Sequence, residues 1–401
     1  MGFMHFDESI EIIQNLEISN YKTKKLYLVN ALGYVLAEDI VAYHNSPEFP
    51  TSAMDGYAIK HKDMALGKLK VRSINPAGSE LKEEVTEGTC IKTFTGSLMP
   101  HGADTLIPIE NVEVNADEII IKEEVPQGFS VREVGENYAK GQMLIPKGTK
   151  IDFPQIGVMA SLNIDNVLVY EKPTVAILST GSELLELGEE QTNDSQIRSS
   201  NNYILEAIVN KYDGIPIQLG CIKDDKETIT REIAAALERS DIVVTTGGVS
   251  VGDFDFVKDV IYELGCDIVF KGVRVKPGQH IMVARKKDKF IIGLPGFAYS
   301  STVTALLYLV PIIEKLQHGK SSLQKVKARL KEPFAKRAKK AEFTACNVSL
   351  LQGEYYVDFK DKKVGSSAIL TNMLGDVALL VTSEDDTSKD IGDEVAILLL
   401  G

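Results

Sequence analysis

Between residues 174 and 316 the chain alternates, unit after unit, between a short apolar run, a polar loop and a stretch whose apolar residues fall at helical spacing. No other feature constrains the fold as much. Residues 175–178, 215–219, 242–244, 281–284 and 290–294 read as strands, and 203–209, the stripe Ile229, Ile233 and Leu237, 256–264 and 298–309 read as helices. Strands that alternate with helices of this length must be joined by crossovers, which predicts a largely parallel, doubly wound α/β sheet covered on both faces.

The flanks obey a different rhythm. Phe6, Ile10, Ile13 and Leu16 line one helical face, and from 41 to 125 short β-prone runs (69–74, 90–94, 105–109, 119–125) are punctuated by glycine and proline. Residues 135–148 are turn-rich, a helix is expected over 154–161, and after 317 runs such as 377–381 and 395–400 return to β character. At 401 residues the chain exceeds one ordinary core of roughly 100 to 200 residues. The expected organisation is an α/β multidomain chain: an elongated N-terminal domain (1–43 plus 128–170), an inserted β domain (44–127), the α/β domain (171–318) and a small C-terminal β domain (319–401).

Charge and composition exclude several functions. A formal charge of -13 opposes general binding to a phosphate backbone, so no nucleic-acid partner is expected. The basic run 325–340 reads as a solvated face beside a strand. No stretch approaches the roughly 18 apolar residues of a membrane span, the run 305–313 being interrupted by Pro311. Acidic residues among the first twenty oppose a signal peptide, and a cytoplasmic, membrane-free protein is expected. Cys90, Cys221, Cys266 and Cys346 are too scattered for a zinc or redox pair, and the six histidines show no metal-binding spacing.

In an open parallel sheet the ligand crevice lies beyond the carboxyl ends of the strands. Three loops fall there: Thr180-Gly181-Ser182-Glu183, Thr246-Gly247-Gly248 continuing through Ser250, Asp253 and Asp255, and Pro295-Gly296. Glycine permits close backbone approach, and amides at the following helix starts suit an oxyanion. The carboxylates of Glu183, Asp253 and Asp255 suit magnesium between oxygen ligands, although Asp253 and Asp255 equally suit helix caps. Lys276-Pro277-Gly278 either supplies a cation to the crevice or carries a solvated lysine, and Asp55-Gly56 taken alone is a turn.

Together these segments resemble the molybdopterin molybdenumtransferase family, known as MoeA in bacteria and as the E domain of gephyrin in animals. The resemblance rests on S-A-M-D-G-Y-A at 52–58, T-T-G-G-V-S-V-G-x-x-D at 245–255, T-G-S-L-M-P-H-G-A-D at 95–104, R-E-V-G-E-N at 132–137, S-T-G-S-E-L at 179–184, K-P-G at 276–278, L-P-G at 294–296 and G-S-S at 365–367, in the family's order. It implies a homodimer of four-part subunits, with a MogA-like α/β domain, β-rich N-terminal domains and a C-terminal small β-barrel. It also implies an enzyme that takes adenylylated molybdopterin and molybdate, uses Mg2+ and releases AMP, with a molybdopterin adenylyltransferase as a possible partner. Carried over by position, Asp55 and Thr95 lie on the partner-subunit side of the cleft. Glu183, Asp224 and Asp255 serve metal and substrate, with Glu183 and Asp255 as the metal ligands. Gly181, Ser182, Gly247, Gly248, Ser250, Pro295 and Gly296 line the substrate, and Lys276 and Ser366 face the molybdate.

This sequence departs from the family where Asn137 replaces an aspartate, where Ser199-Ser200-Asn201 replaces D-S-N or D-T-N, and where Gln279-His280 and Phe297-Ala298 follow the two P-G pairs. These changes remove charge of both signs and place a bulky ring near the expected oxyanion. A paralogue that binds the pterin without turnover, prefers tungstate or acts as a scaffold is the competing expectation.

Overall fold

The structure is a computed structural model that describes residues 2–80, 82–248 and 256–400. Its centre is a six-stranded sheet in the order Ile215–Ile222, Thr174–Thr180, Ile242–Thr246, Lys289–Leu294, Met282–Lys286, Asp267–Lys271. The first four strands are mutually parallel, as the alternation requires, while the last two join antiparallel. Only the two-residue turn Lys287–Asp288 separates Met282–Lys286 from Lys289–Leu294. That is too short for a crossover, so this edge folds back as a hairpin.

Helices cover both faces. Ile177, Val244 and Ile292 face Leu205, Val209, Val303 and Tyr308 on one side. Ala176, Val243 and Ile291 face Ile229, Ile233 and Val260 on the other. Alternate strand residues therefore feed two cores, which is why these strands read as continuous apolar runs. The expected helix over 298–309 continues to Leu316: Ala298–Thr304 passes into a wide π turn at Ala305–Leu309 and on into Val310–Leu316. Pro311 lies just beyond that turn and ends nothing, because a π turn loosens the hydrogen-bond ladder where proline cannot donate.

The helix Phe6–Gln14 packs on this α/β core, with Ile13 inside it and the Ser9 hydroxyl 2.8 Å from the Tyr308 hydroxyl. The chain then pairs Thr23–Tyr27 with Asn166–Tyr170 and Ile40–Val41 with Met143–Ile145. Between them hangs a second six-stranded sheet, Thr105–Pro108, Gly56–Ile59, Thr89–Thr93, Lys68–Asn75, Glu118–Ile121, Val112–Asn115.

At the C-terminal end, strands Ala341–Leu351, Glu354–Asp358, Gln324–Leu330, Glu394–Leu399 and Val377–Thr382 close into a five-stranded barrel, Val377–Thr382 pairing back to Ala341–Leu351. Strand Val275–Lys276 of the central region adds to its outside, parallel to Ala341–Glu342. The barrel is thereby fastened to the α/β sheet by backbone pairing as well as by side chains.

Candidate active site

The carboxyl ends of the three central parallel strands bring the glycine loops together. Gly181 N donates to Ile222 O and Gly247 N to Leu294 O, 3.3 and 3.2 Å. At Gly247, φ is +86° and an added Cβ would lie 2.8 Å from Thr180 O, so only glycine allows these two loops to touch. Asn201 Nδ2 donates to Gly296 O at 2.8 Å, so the asparagine retained in Ser199-Ser200-Asn201 fixes the Pro295-Gly296 loop. Thr180 Oγ1 and Asn201 Oδ1 are buried beneath the crevice with no hydrogen-bond partner among the described residues, while Ser199 lies within reach of the Cys221 thiol.

Ser182 and Glu183 stand exposed at its mouth. Asp224, half-buried, follows strand Ile215–Ile222, and its neighbour Asp225 caps helix Lys226–Arg239 by accepting from Thr228 N at 2.8 Å. Gly248 belongs to the same loop cluster, whereas Ser250, Asp253 and Asp255 lie outside the described residues. Among the described residues no group of three His, Cys, Asp or Glu side chains could hold a metal ion. The available donors are nonetheless carboxylate oxygens, which suit magnesium, an ion that needs only one or two of them and keeps several waters. The one thiol nearby, Cys221, is pushed up by burial to about 11 and stays protonated near neutral pH, so it is no nucleophile.

A second cleft lies between the α/β sheet and the barrel, and it brings Lys276 and Ser366 together with Tyr299 and Glu342. Lys276 is not a free solvated side chain, because its Nζ donates to Glu342 Oε1 at 2.8 Å and Glu342 is buried. The basic run divides. Lys327 and Arg329 pair with Glu394 and Glu354 on the solvated barrel face, as expected. Farther on, Lys340 donates to Gln279 Oε1, and Arg337 lies over Gly365 beside Ser366. A cation thus returns beside Gln279 from a different part of the chain. Phe297 does not fill the crevice, its side chain being 63% exposed. Glu342 was missed by sequence reasoning and Lys340 was read only as part of a solvated run, since nothing ties them to K-P-G except the fold.

Asp55 and Thr95 meet each other. Asp55 Oδ1 accepts from Thr95 N at 2.8 Å and from Thr95 Oγ1 at 2.7 Å, and these two donors hold its carboxyl below the ordinary range. Replacing Thr95 with valine removes the hydroxyl donor and is expected to move the Asp55 pKa back toward the unfolded value. Because the folded value is the lower one, the stabilisation is present above the unfolded pKa and lost as pH falls through the folded one. A carboxyl NMR titration checks this, and an unmoved pKa in the variant would refute it. The two side chains are thereby committed to each other.

A three-loop crevice on a doubly wound sheet, seamed to a β-barrel across a cleft that holds Lys276 and Ser366, defines a multidomain α/β protein. Residues 4–163 match the family model described as the MoeA N-terminal region (domain I and II), and residues 176–315 match the probable molybdopterin binding domain. The molybdopterin molybdenumtransferase of Haemophilus influenzae is 33% identical over 301 residues, 75% of this chain and 74% of that one. That of a Nostoc species is 31% identical, covering 95% and 90%. The crystal structure of the molybdopterin biosynthesis MoeA protein from Pyrococcus horikoshii superposes with a TM-score of 0.85 at 30% identity, covering 99% of this chain and all of the other. The chain belongs to the molybdopterin molybdenumtransferase family and is a transferase of molybdenum cofactor biosynthesis. No helix among the described residues is long and apolar enough to cross a membrane.

Proposed function

We propose that this chain inserts molybdenum from molybdate into adenylylated molybdopterin with magnesium-dependent release of AMP. The observation that carries the reading is the adjacency of two half-sites: Gly278, next to Lys276 in K-P-G, lies against Pro295 of the glycine-loop crevice, and the Lys276–Ser366 cleft opens across the seam. Gly181, Ser182, Gly247, Gly248, Ser250, Pro295 and Gly296 would hold the pterin and its phosphates through backbone amides. Lys276 and the Ser366 hydroxyl would orient the oxyanion, with Lys340 adding positive charge beside Gln279. Magnesium, held by Glu183 and Asp255 with Asp224 close by, would offset charge on the anhydride as its bond breaks. The pairing of Lys276 with Glu342 offsets part of that positive charge.

Asp55 and Thr95 would complete the cleft of a second subunit in a homodimer. Phe49, Leu98 and Ile109 near that segment are 61%, 47% and 42% exposed, an apolar rim suited to a partner surface. The four-part division into 1–43 plus 128–170, 44–127, 171–318 and 319–401 is part of this reading, as are a cytoplasmic site of action and handover from an adenylyltransferase.

The test is AMP release from adenylylated molybdopterin by the full chain with magnesium and either molybdate or tungstate. Oxyanion-dependent release, lowered by about 100-fold or more in Glu183→Ala on the scale of lost electrostatic stabilisation, is the expected result. Tight pterin binding without AMP release under either oxyanion would instead leave a binding or scaffolding paralogue.

A further inference from the structure

The excursion from Gly181 to Asn201 carries Glu183, and beyond the Gly181 N–H bond to Ile222 O one carboxylate, Glu186, ties it to the edge of the sheet. Leu184–Leu185 and Ile197–Arg198 pair as a short ribbon, with Ile197 N donating to Glu183 O at 2.8 Å. From this ribbon Glu186 reaches sideways. Its Oε1 accepts from Cys221 N at 2.6 Å, and its Oε2 accepts from the Tyr203 hydroxyl at 3.0 Å. The Tyr203 oxygen in turn accepts from Leu187 N at 3.2 Å, so the tyrosine closes the clasp from helix Asn201–Lys211.

The receiving strand is shaped for this contact. Ile215–Ile222 is the edge of the central sheet, and its register slips between Ile177↔Gln218 and Leu178↔Gly220, leaving Leu219 as an extra residue. Bulges bend a strand and re-aim its groups, often beside active sites. Gly220, at φ +78°, carries no side chain where a Cβ would lie 2.9 Å from Glu186 Oε1. The bulge and the glycine together leave Cys221 N open to an incoming carboxylate. Among the described residues no lysine or arginine forms an ion pair with Glu186, so the carboxylate serves the Cys221 backbone, Tyr203 and the neighbouring Cys221 and Asn202 side chains.

The clasp joins two segments that each carry a carboxylate of the proposed reaction. Glu183 lies three residues before Glu186, and Asp224 lies three residues after Cys221. We infer that Glu186 is a positioning residue that sets the separation of Glu183 and Asp224 at the metal side of the crevice. The inference rests on the function proposed above. Glu186 itself touches neither substrate nor ion; it acts through the two strands it joins.

The test is binding of Mn2+, as a paramagnetic stand-in for Mg2+, to the full chain followed by electron paramagnetic resonance. It is accompanied by hydrogen exchange at the Cys221 amide and by binding of adenylylated molybdopterin without metal. Glu186→Ala is expected to weaken Mn2+ binding by about 10- to 100-fold, the usual effect of removing a group that orients metal ligands. The Cys221 amide should lose protection while metal-free pterin binding holds within about twofold, an interval well under one factor of ten in affinity. Glu186→Gln, which keeps an oxygen for Cys221 N, should restore most of the affinity. Gly220→Ala, acting from the opposite strand, should reproduce the alanine defect. Unchanged Mn2+ affinity in Glu186→Ala despite an exposed Cys221 amide would overturn the inference while leaving the proposed function standing. A wild-type chain that binds neither Mn2+ nor the adenylylated pterin would overturn both.

Discussion

Replacing Lys276 with alanine is expected to cost roughly 3 kcal/mol of stability as well as oxyanion-dependent activity, because it strands a buried carboxylate. Glu342 is 2% exposed and, among the described residues, its ion-pair partner is Lys276 Nζ at 2.8 Å; the Arg337 backbone N–H also donates to Glu342 Oε2 at 3.4 Å and Lys276 keeps about a quarter of its side chain in solvent, which places the cost at the low end for a broken buried pair. Lys276→Met combined with Glu342→Leu should recover most of the lost stability, since an apolar pair of similar volume replaces a buried ion pair at little cost. Activity should not return with it. Thermal midpoints of the single and double variants measure the first effect and AMP release the second. A single variant as stable as wild type would show that water reaches Glu342 and that the seam is wetter than the structure indicates.

The second large effect is expected at Tyr299. Its hydroxyl donates to Phe343 O at 3.1 Å and accepts from Ala345 N at 2.9 Å, so one atom satisfies two backbone groups of the barrel strand from within the α/β helix. Burial raises the phenol well above its ordinary pKa, and it remains a donor throughout the working range. Tyr299→Phe keeps the ring and removes both bonds, leaving a buried C=O and a buried N–H alone. At about 1–3 kcal/mol for each of the two unsatisfied groups, the loss should be about 2–6 kcal/mol. Faster hydrogen exchange at the Ala345 amide, with a lower thermal midpoint, is the expected pair of results. A midpoint unchanged within a degree would mean that other groups rescue Phe343 O and Ala345 N.

Both predictions concern the seam, the part of the molecule least legible in the sequence. The repeating units were readable because periodicity is local: Ile229, Ile233 and Leu237 declare their helix without reference to any other segment. The glycine loops were readable for a related reason, since a parallel sheet places every strand-to-helix loop at one end. The hairpin edge was not, because a two-residue turn between two apolar runs looks like any other punctuation until its partner strand is known. Lys276 finds Glu342 across 66 positions, Lys340 finds Gln279 across 61, and Glu186 finds the Cys221 amide across 35. No spacing rule reaches that far, and a glutamate in a loop has no pattern that announces a buried partner. Family motifs located Lys276 and Ser366, yet they said nothing of the carboxylate already holding the lysine.

The packing of the opening helix has a consequence for how the chain is made. Phe6 meets Phe343 edge-on with ring centroids 5.1 Å apart, and Ser9 bonds to Tyr308. A ribosome working at about 5–20 residues per second needs roughly 15–60 s to deliver those partners after the helix has emerged. For that interval its apolar face is uncovered, because the residues it docks against are translated long after it. A tag or fusion that shields this helix would therefore act on folding yield during synthesis more than on the stability of the finished protein.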